Sequence, residues 1–283
     1  VEYARSIEEE HNKCFRFTIT TNGVLLNDEN IEYINREMSN AVLSIDGRKE
    51  VNDDLRPTVN GKGSYDVIVP KFQKLIEGRG TKDYYLRGTF TRFHQDFAED
   101  VKALASIGRN ISVEPVVGKE EDPYALQEAD LPALKAEYER LAEYLRDHPE
   151  TNFFHFNVDL AQGPCVIKRL RGCGAGCEYV AITPEGDIYP CHQFVGNEDY
   201  KLGSLYDGTF DKELSGRFAG LNIYTREECR DCWARFYCSG GCSASNLLVN
   251  GDIKKPHRVG CELERKRLEC AIALRAIAAG MAE

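Results

Sequence analysis

The chain has 283 residues, of which 42% are hydrophobic and 29% charged, and its formal net charge is −10 at pH 7. A chain of this length forms one large or two smaller domains with ample material for a core. The acidic balance argues against nonspecific binding to nucleic acid or to anionic membranes, because both need a basic surface. The sequence has neither an apolar run near the ~18 residues that span a bilayer nor a signal-peptide pattern at its start. We therefore expect a cytoplasmic protein without a nucleic-acid or membrane partner.

The first 117 residues alternate segments that are typical of strands with segments that are typical of helices. Strands are predicted at residues 14–20, 41–45, 84–90 and 111–117. Helical patterns lie between them at residues 28–38, 66–78 and 95–107. This order predicts a parallel sheet with right-handed crossovers. Four strands make an incomplete sheet, so we expect the front of a barrel or doubly wound domain to be missing.

The pattern changes after residue 117. A polar connector over residues 118–162 contains a charged helix predicted at 131–147. From residue 163 onward the chain is rich in glycine and cysteine, with a hairpin turn predicted at residues 183–187 and a closing helix at 258–280. This last part has few long apolar elements, so metal centres would have to organise it.

Eight of the eleven cysteines lie between residues 173 and 261. Four of them follow the spacing C-x2-C-x5-C-x3-C, namely Cys229, Cys232, Cys238 and Cys242. The other four are Cys173, Cys177, Cys191 and Cys261. Short C-x2-C steps place neighbouring thiolates on one centre, and the spacing permits two structural zinc sites as well as two iron–sulfur clusters. A disulfide framework is disfavoured, because such frameworks dominate small secreted domains.

Residues 173–261 resemble the SPASM domain of radical S-adenosylmethionine (SAM) enzymes. The family pattern is C-x9–15-G-x4-C, a gap, C-x2-C-x5-C-x3-C, a second gap and C. It is filled here by Cys173, Gly186, Cys191, Cys229, Cys232, Cys238, Cys242 and Cys261. The turns at residues 20–23 and 44–47 also resemble strand ends of the family's barrel.

The resemblance implies an α/β fold in three parts. Residues 1–117 would form the later strands of a partial (β/α)6 radical SAM barrel, and residues 118–162 a helical connector. Residues 163–283 would form a Cys-rich α+β SPASM domain with a short β-hairpin.

The stretch at residues 174–194 is similar to the maturases that install thioether bridges in a six-cysteine peptide, the SCIFF class. The resemblance implies a radical SAM peptide maturase that acts on a ribosomally made Cys-rich peptide with a reducing electron donor. Two alternatives remain open. One is a sulfatase-maturase-like dehydrogenase that forms formylglycine, and the other is a noncatalytic iron–sulfur or zinc module that binds a peptide.

The chain departs from the family at one place. The C-x3-C-x2-C loop that holds the SAM-cleaving cluster does not occur in residues 1–172, where the cysteines are Cys14 and Cys165. The turn that grips the methionine amino group is missing as well. Both would precede Val1, so we expect this chain to be inactive by itself.

The resemblance divides the cysteines between two auxiliary [4Fe-4S] clusters. The first set is Cys173, Cys191 and Cys242, with Cys177 either as the fourth ligand or as a bystander beside an open iron. The second set is Cys229, Cys232, Cys238 and Cys261. The three remaining thiols are expected to have other roles: Cys14 and Cys270 as buried structural groups and Cys165 either inert or facing the substrate.

Other residues have roles implied by the same resemblance. Asn22 and Ser44 would contact the ribose or carboxylate of SAM, and Arg56 would pair with its methionine carboxylate, although a surface ion pair is the alternative for Arg56. His192 would act as a catalytic base or donate a hydrogen bond to a cluster sulfur. Arg87 and Glu114 either line the barrel or pair with each other.

Overall fold

The computed structural model describes residues 1–158 and 166–280. The chain divides into two compact units, one of residues 1–116 and 132–157, the other of residues 117–131 and 158–283. The predicted connector is thus shared between the units, because its long helix packs in the first unit while its ends belong to the second. Cys165 lies outside the described residues.

The first unit is built on a five-stranded parallel sheet with its strands in sequence order. The strands are β1 (Thr18–Thr21), β2 (Asn40–Ser44), β3 (Asp83–Phe90), β4 (Asn110–Pro115) and β5 (Asn152–Phe153). Leu43 of β2 lies opposite Leu86 of β3, which lies opposite Ile111 of β4. All three side chains are fully buried. The predicted parallel sheet is confirmed, and β5 was missed because two residues are too short to show periodicity.

One helix precedes the sheet and five connect its strands. They are α1 (Glu2–Ser6), α2 (Asp28–Glu37), α3 (Lys49–Leu55), α4 (Tyr65–Glu77), α5 (Phe97–Ala105) and α6 (Leu131–Asp147). Helix α2 starts where the sequence predicts, because Asn27 and Asn30 cap its first turn through reciprocal side-chain-to-backbone bonds of 2.9 Å. Helix α3 was not predicted, since its seven residues contain too few apolar positions for a helical pattern.

Buried Arg79 joins the end of α2 to the starts of β2 and β3. Arg79 is only 3% exposed. Its guanidinium donates hydrogen bonds to four carbonyl oxygens, those of Ile34, Met38, Ser39 and Asp83. We expect Arg79→Met to destabilise the chain by about 3 kcal/mol or more, because several buried carbonyls lose a charged donor. Urea unfolding would measure this. The exposed Arg36→Met is the control and should cost under about 1 kcal/mol; equal costs would contradict the prediction.

The second unit contains a four-stranded antiparallel sheet. Its strands are β6 (Ala181–Ile182), β7 (Asp187–Tyr189), β8 (Gly203–Ser204) and β9 (Thr209–Phe210). Strands β6 and β7 form the predicted hairpin, and Gly186 supplies the left-handed turn conformation at φ +83°. The helices of this unit are α7 (Val166–Arg171), α8 (Lys212–Ala219), α9 (Arg235–Cys238), α10 (Ser243–Asn250) and α11 (Arg258–Ala278).

A small apolar core supports the hairpin of the second unit. It includes Ile188, Phe194, Leu202 and Phe218. Cys191, the second residue after β7, belongs to the same core. Cys191 is therefore held on a packed element rather than on a free loop. None of the helices described is long and apolar enough to cross a bilayer.

Candidate metal centres

All four cysteines of the second set line one cavity. The cavity has a volume of about 420 Å³ and lies within the second unit. Its lining includes Cys229, Cys232, Cys238 and Cys261. Four thiols around one space are the donor set that a [4Fe-4S] cluster takes, so the residues present fit this group.

Short local hydrogen bonds set the positions of these thiols. Cys232 donates its backbone N–H to the Cys229 carbonyl at 3.2 Å, which closes a tight turn between two ligands of the set. Cys238 ends helix α9, and Ser239 then adopts a left-handed conformation at φ 59°. Cys261 lies in the first turn of α11, where its N–H bonds to the His257 carbonyl at 3.0 Å. Two helix ends and one turn therefore converge on the cavity.

Burial favours the protonated form of three of these thiols, those of Cys229, Cys238 and Cys261. Burial, followed by the negative charge of Glu264, raises the pKa of Cys238 to about 12. Burial, followed by the charge of Cys229, raises the pKa of Cys261 to about 11. The pKa of Cys229 is raised by burial as well, although the positive charge of Arg226 opposes the shift. A soft metal centre must displace these protons in order to bind.

The first set gathers around Cys191. This cysteine is buried, whereas Cys173 and Cys242 are exposed. Burial raises the pKa of Cys191, and the negative charges of Cys242 and Cys173 raise it further. Cys191 therefore interacts electrostatically with both of these thiols, and none of the three lines the cavity of the second set. Their assignment to one cluster stays a prediction.

Cys177 is the remaining cysteine of the first set. It is exposed, and its thiol donates to the Gly174 carbonyl at 3.4 Å. Its role as a fourth ligand stays a prediction. Within residues 1–158 and 166–280, no three His, Cys, Asp or Glu side chains are arranged to hold a single metal ion. The ligand assignments of the other seven cysteines therefore also stay predictions.

His192 follows Cys191 directly and begins a single 3-10 turn, His192–Phe194. Its side chain is exposed, and its ring makes no hydrogen bond to the described residues. A free imidazole beside a cysteine of the first set is able to move a proton. Both of its predicted roles stay open.

The SAM-binding residues predicted in the first unit lie at the carboxyl edge of its sheet. Asn22 follows β1 and Ser44 ends the neighbouring parallel strand β2. Asn22 accepts a hydrogen bond from the Val24 N–H at 3.2 Å, as a plain turn residue does. Contact of Asn22 and Ser44 with SAM stays a prediction.

Arg56 is held by Asp46, a residue that the sequence analysis treated only as part of a turn. Two hydrogen bonds of 2.6 and 3.0 Å join the guanidinium to the buried Asp46 carboxylate, which also accepts from the Thr89 N–H at 2.9 Å. The ion-pair alternative therefore describes Arg56 in this structure. Pairing of Arg56 with the methionine carboxylate of SAM stays a prediction. It would require the guanidinium to divide its N–H donors between that carboxylate and Asp46.

A second polar group lies on β3 and β4. Arg87 donates to both carboxylate oxygens of Glu114 at 3.1 Å, so these two residues do pair with each other. Ser112 links the group to His155 through a contact of 3.2 Å. His155 was missed, because it follows a two-residue strand that has no sequence signature.

The two remaining thiols differ from one another. Cys270 is buried on α11, as predicted for a structural thiol, whereas Cys14 is exposed. The prediction for Cys14 was wrong because the strand begins only at Thr18, so Cys14 precedes the sheet instead of pointing into it.

A family profile described as an iron–sulfur cluster-binding domain, SPASM, matches residues 173–233. The match contains the first C-x2-C pair, Cys229 and Cys232, and the cysteines of the hairpin segment. Cys238, Cys242 and Cys261 follow it. An iron–sulfur cluster-binding domain in this part of the chain is thereby confirmed.

Curated relatives extend the similarity to most of the chain. The mycofactocin maturase MftC of Mycolicibacterium smegmatis is 28% identical over 225 residues, which cover 76% of this chain and 55% of the relative. The cysteine-type anaerobic sulfatase-maturating enzyme of Clostridium novyi is 24% identical over 250 residues, which cover 80% of this chain and 63% of the relative. The chain thus spans less than two thirds of the length of either relative.

Several solved structures share the fold. Native anSMEcpe with bound AdoMet and Cp18Cys peptide superposes with a TM-score of 0.75 at 17% identity, over 99% of this chain and 81% of that chain. This likeness confirms the predicted fold class, a parallel α/β sheet of the radical SAM type followed by a SPASM domain. The chain therefore matches the SPASM family over residues 173–233, and over most of its length it is similar to the two maturases.

Proposed function

We propose that the chain belongs to a radical SAM peptide maturase that uses two auxiliary [4Fe-4S] clusters. The observation that carries this proposal is the convergence of Cys229, Cys232, Cys238 and Cys261 on one cavity, away from the neighbourhood of Cys191. Two separate sets of thiols are what two clusters need. SAM binding is supported by the fold shared with a solved structure that contains AdoMet.

The protein's part in the reaction is to bind and orient. When bound, an auxiliary cluster supplies a site for a substrate thiolate or accepts an electron as a carbon–sulfur bond forms. Cys229, Cys232, Cys238 and Cys261 would hold one cluster in the cavity, and burial of three of these thiols would limit the contact of water with it. His192, exposed and beside Cys191, would take up the proton that a peptide substrate releases.

The finer substrate assignment is a Cys-rich ribosomal peptide that receives a thioether bridge, as in the SCIFF class. Its support is the similarity of the hairpin segment at residues 174–194, and the reducing electron donor follows from the chemistry. The formylglycine alternative is supported by the similarity to a sulfatase-maturating enzyme. The two reactions differ in product: a bridged peptide loses two hydrogens and keeps its sulfur, whereas formylglycine made from cysteine loses the sulfur.

Metal analysis after anaerobic reconstitution tests the proposal. We expect about eight irons and eight sulfides per chain, the sum of two four-iron clusters. Roughly two zincs with no sulfide would overturn it in favour of a structural zinc module. The reaction itself is tested on the chain extended by a C-x3-C-x2-C segment of the family, with SAM, a reductant and candidate peptides. Mass spectrometry of the peptide then separates bridge from aldehyde, and 5′-deoxyadenosine reports SAM cleavage.

A further inference from the structure

Arg226 is a buried cation that the proposed function leaves without a role. It lies three residues before Cys229 and is only 4% exposed. Its backbone carbonyl accepts the Cys229 N–H at 3.1 Å, so the residue is rigidly joined to the second set of cysteines. Burying a guanidinium is costly unless charge or hydrogen bonds compensate it. A residue with this cost requires an explanation.

The loop that connects the two sets of cysteines wraps around this guanidinium. Arg226 donates to the Gly240 carbonyl, to the Ser243 hydroxyl at 2.9 Å and to the Ile253 carbonyl at 3.3 Å. Gly240 has φ +90°, and a Cβ there would lie 2.5 Å from the guanidinium Nη1, so only glycine fits. Gly240 lies between Cys238 of the second set and Cys242 of the first. The guanidinium is therefore packed against the segment that runs from Cys238 of the second set to Cys242 of the first set.

The hydrogen bonds of Arg226 leave its charge uncompensated. Its three acceptors are two carbonyls and a hydroxyl, and its buried Nε has no partner in the part of the chain that the structure describes. Burial lowers the pKa of the guanidinium, and the thiols of Cys229, Cys238, Cys242 and Cys173 act against that shift once they are deprotonated, as they would be when they bind a metal centre. The charges that Arg226 meets thus belong to thiols of both sets.

We propose that Arg226 is a fixed positive charge shared by the two auxiliary clusters, which raises the reduction potential of both. This inference rests on the proposed binding of two clusters. Each cluster gains one negative charge on reduction, and a cation held in a low-dielectric surrounding stabilises the reduced form. Because one side chain acts on both sites, the two potentials are coupled to the same residue. Arg226 tunes the clusters and is not a catalytic residue.

The test compares three variants of the anaerobically reconstituted chain. Arg226→Gln removes the charge, and Arg226→Lys keeps it while losing most of the hydrogen bonds. Arg230→Gln is the matched control: it removes a charge one residue after Cys229, but Arg230 is exposed and its guanidinium bonds to the Tyr224 carbonyl at 2.9 Å. Solvent screens an exposed charge, so the control should change the potentials much less. Iron content and redox titration followed by electron paramagnetic resonance are the readouts.

For Arg226→Gln we expect both clusters to be harder to reduce. At a fixed potential, the ratio of reduced to oxidised cluster should fall at least tenfold at each site, or about 59 mV for a one-electron couple. Arg226→Lys should keep both potentials closer to those of the parent chain. Loss of clusters in the glutamine variant with retention in the lysine variant would also support a requirement for the charge.

Three results would overturn the inference. The first is a glutamine variant with full iron and unchanged potentials, and the second is a shift at one cluster with none at the other. The third is loss of clusters in both Arg226 variants, which would mean that the side chain holds the loop together and sets no potential. A parent chain that binds no cluster would instead defeat the proposed function, so the two failures are distinguishable.

Discussion

Replacing Cys261 with alanine is expected to remove one cluster and spare the other. Cys261 is the proposed ligand on α11, and the other three thiols that line its cavity come from residues 229–238. A cluster that loses one of four thiolates also loses the bond between these two segments. Iron should fall from about eight to about four per chain, with sulfide in parallel. Cys191→Ala should have the same effect on the first set.

Cys261→Ala and Cys191→Ala should differ in which of the two clusters they retain. Electron paramagnetic resonance of the reduced protein would show a different single cluster in each case. Cys270→Ala is the control, because Cys270 is a buried thiol on the same helix that does not line the cavity. It should keep about eight irons and lose at most about 1–2 kcal/mol of stability. Retention of all iron in Cys261→Ala would contradict the assignment of the second set.

Metal affinity of the cluster-free chain is expected to depend steeply on pH. The pKa of Cys238 is raised to about 12 and that of Cys261 to about 11, so both thiols carry protons throughout the neutral range. The pKa of Cys229 is raised in the same direction. A metal ion that binds these three thiols as thiolates displaces about three protons from them, so its apparent affinity should rise by about three orders of magnitude per pH unit below these pKa values.

Cobalt(II) and zinc(II) are suitable probes, because thiolate coordination of cobalt is visible by absorption and zinc competes for the same ligands. Titrations against a buffered chelator at several pH values between 6 and 8 would give the slope. A slope of one proton or fewer would contradict the prediction. The raised pKa values also act on folding: protonated thiols favour the folded chain at neutral pH, and that contribution is lost as pH rises above about 9 towards 11 and 12.

Regular elements were predictable wherever a local pattern repeats. The four longer strands of the parallel sheet and helices α2, α4, α5, α6 and α11 follow from alternation, helical periodicity and caps. The hairpin of β6 and β7 follows from its turn residues. Short elements were not predicted, because short segments take their conformation from the partners against which they pack. They are strands β5, β8 and β9 and helices α3, α7, α8, α9 and α10.

The site divides in the same way. Cysteine spacing alone indicated two metal centres, since two thiols separated by two residues lie close in space in most folds. The sequence by itself therefore determined the fold class and the cysteine-rich unit, and it predicted the ligand types. Spacing carries no information about long-range partners. The family resemblance had grouped Cys261 with Cys229, Cys232 and Cys238, and the tertiary structure placed these four residues around one cavity. Only the tertiary structure paired Arg56 with Asp46 and enclosed Arg226 in the loop at Gly240. Those contacts depend on how distant segments of the chain pack together. Packing decides which charged groups are desolvated, and a desolvated charge needs hydrogen-bond or ionic partners inside the protein.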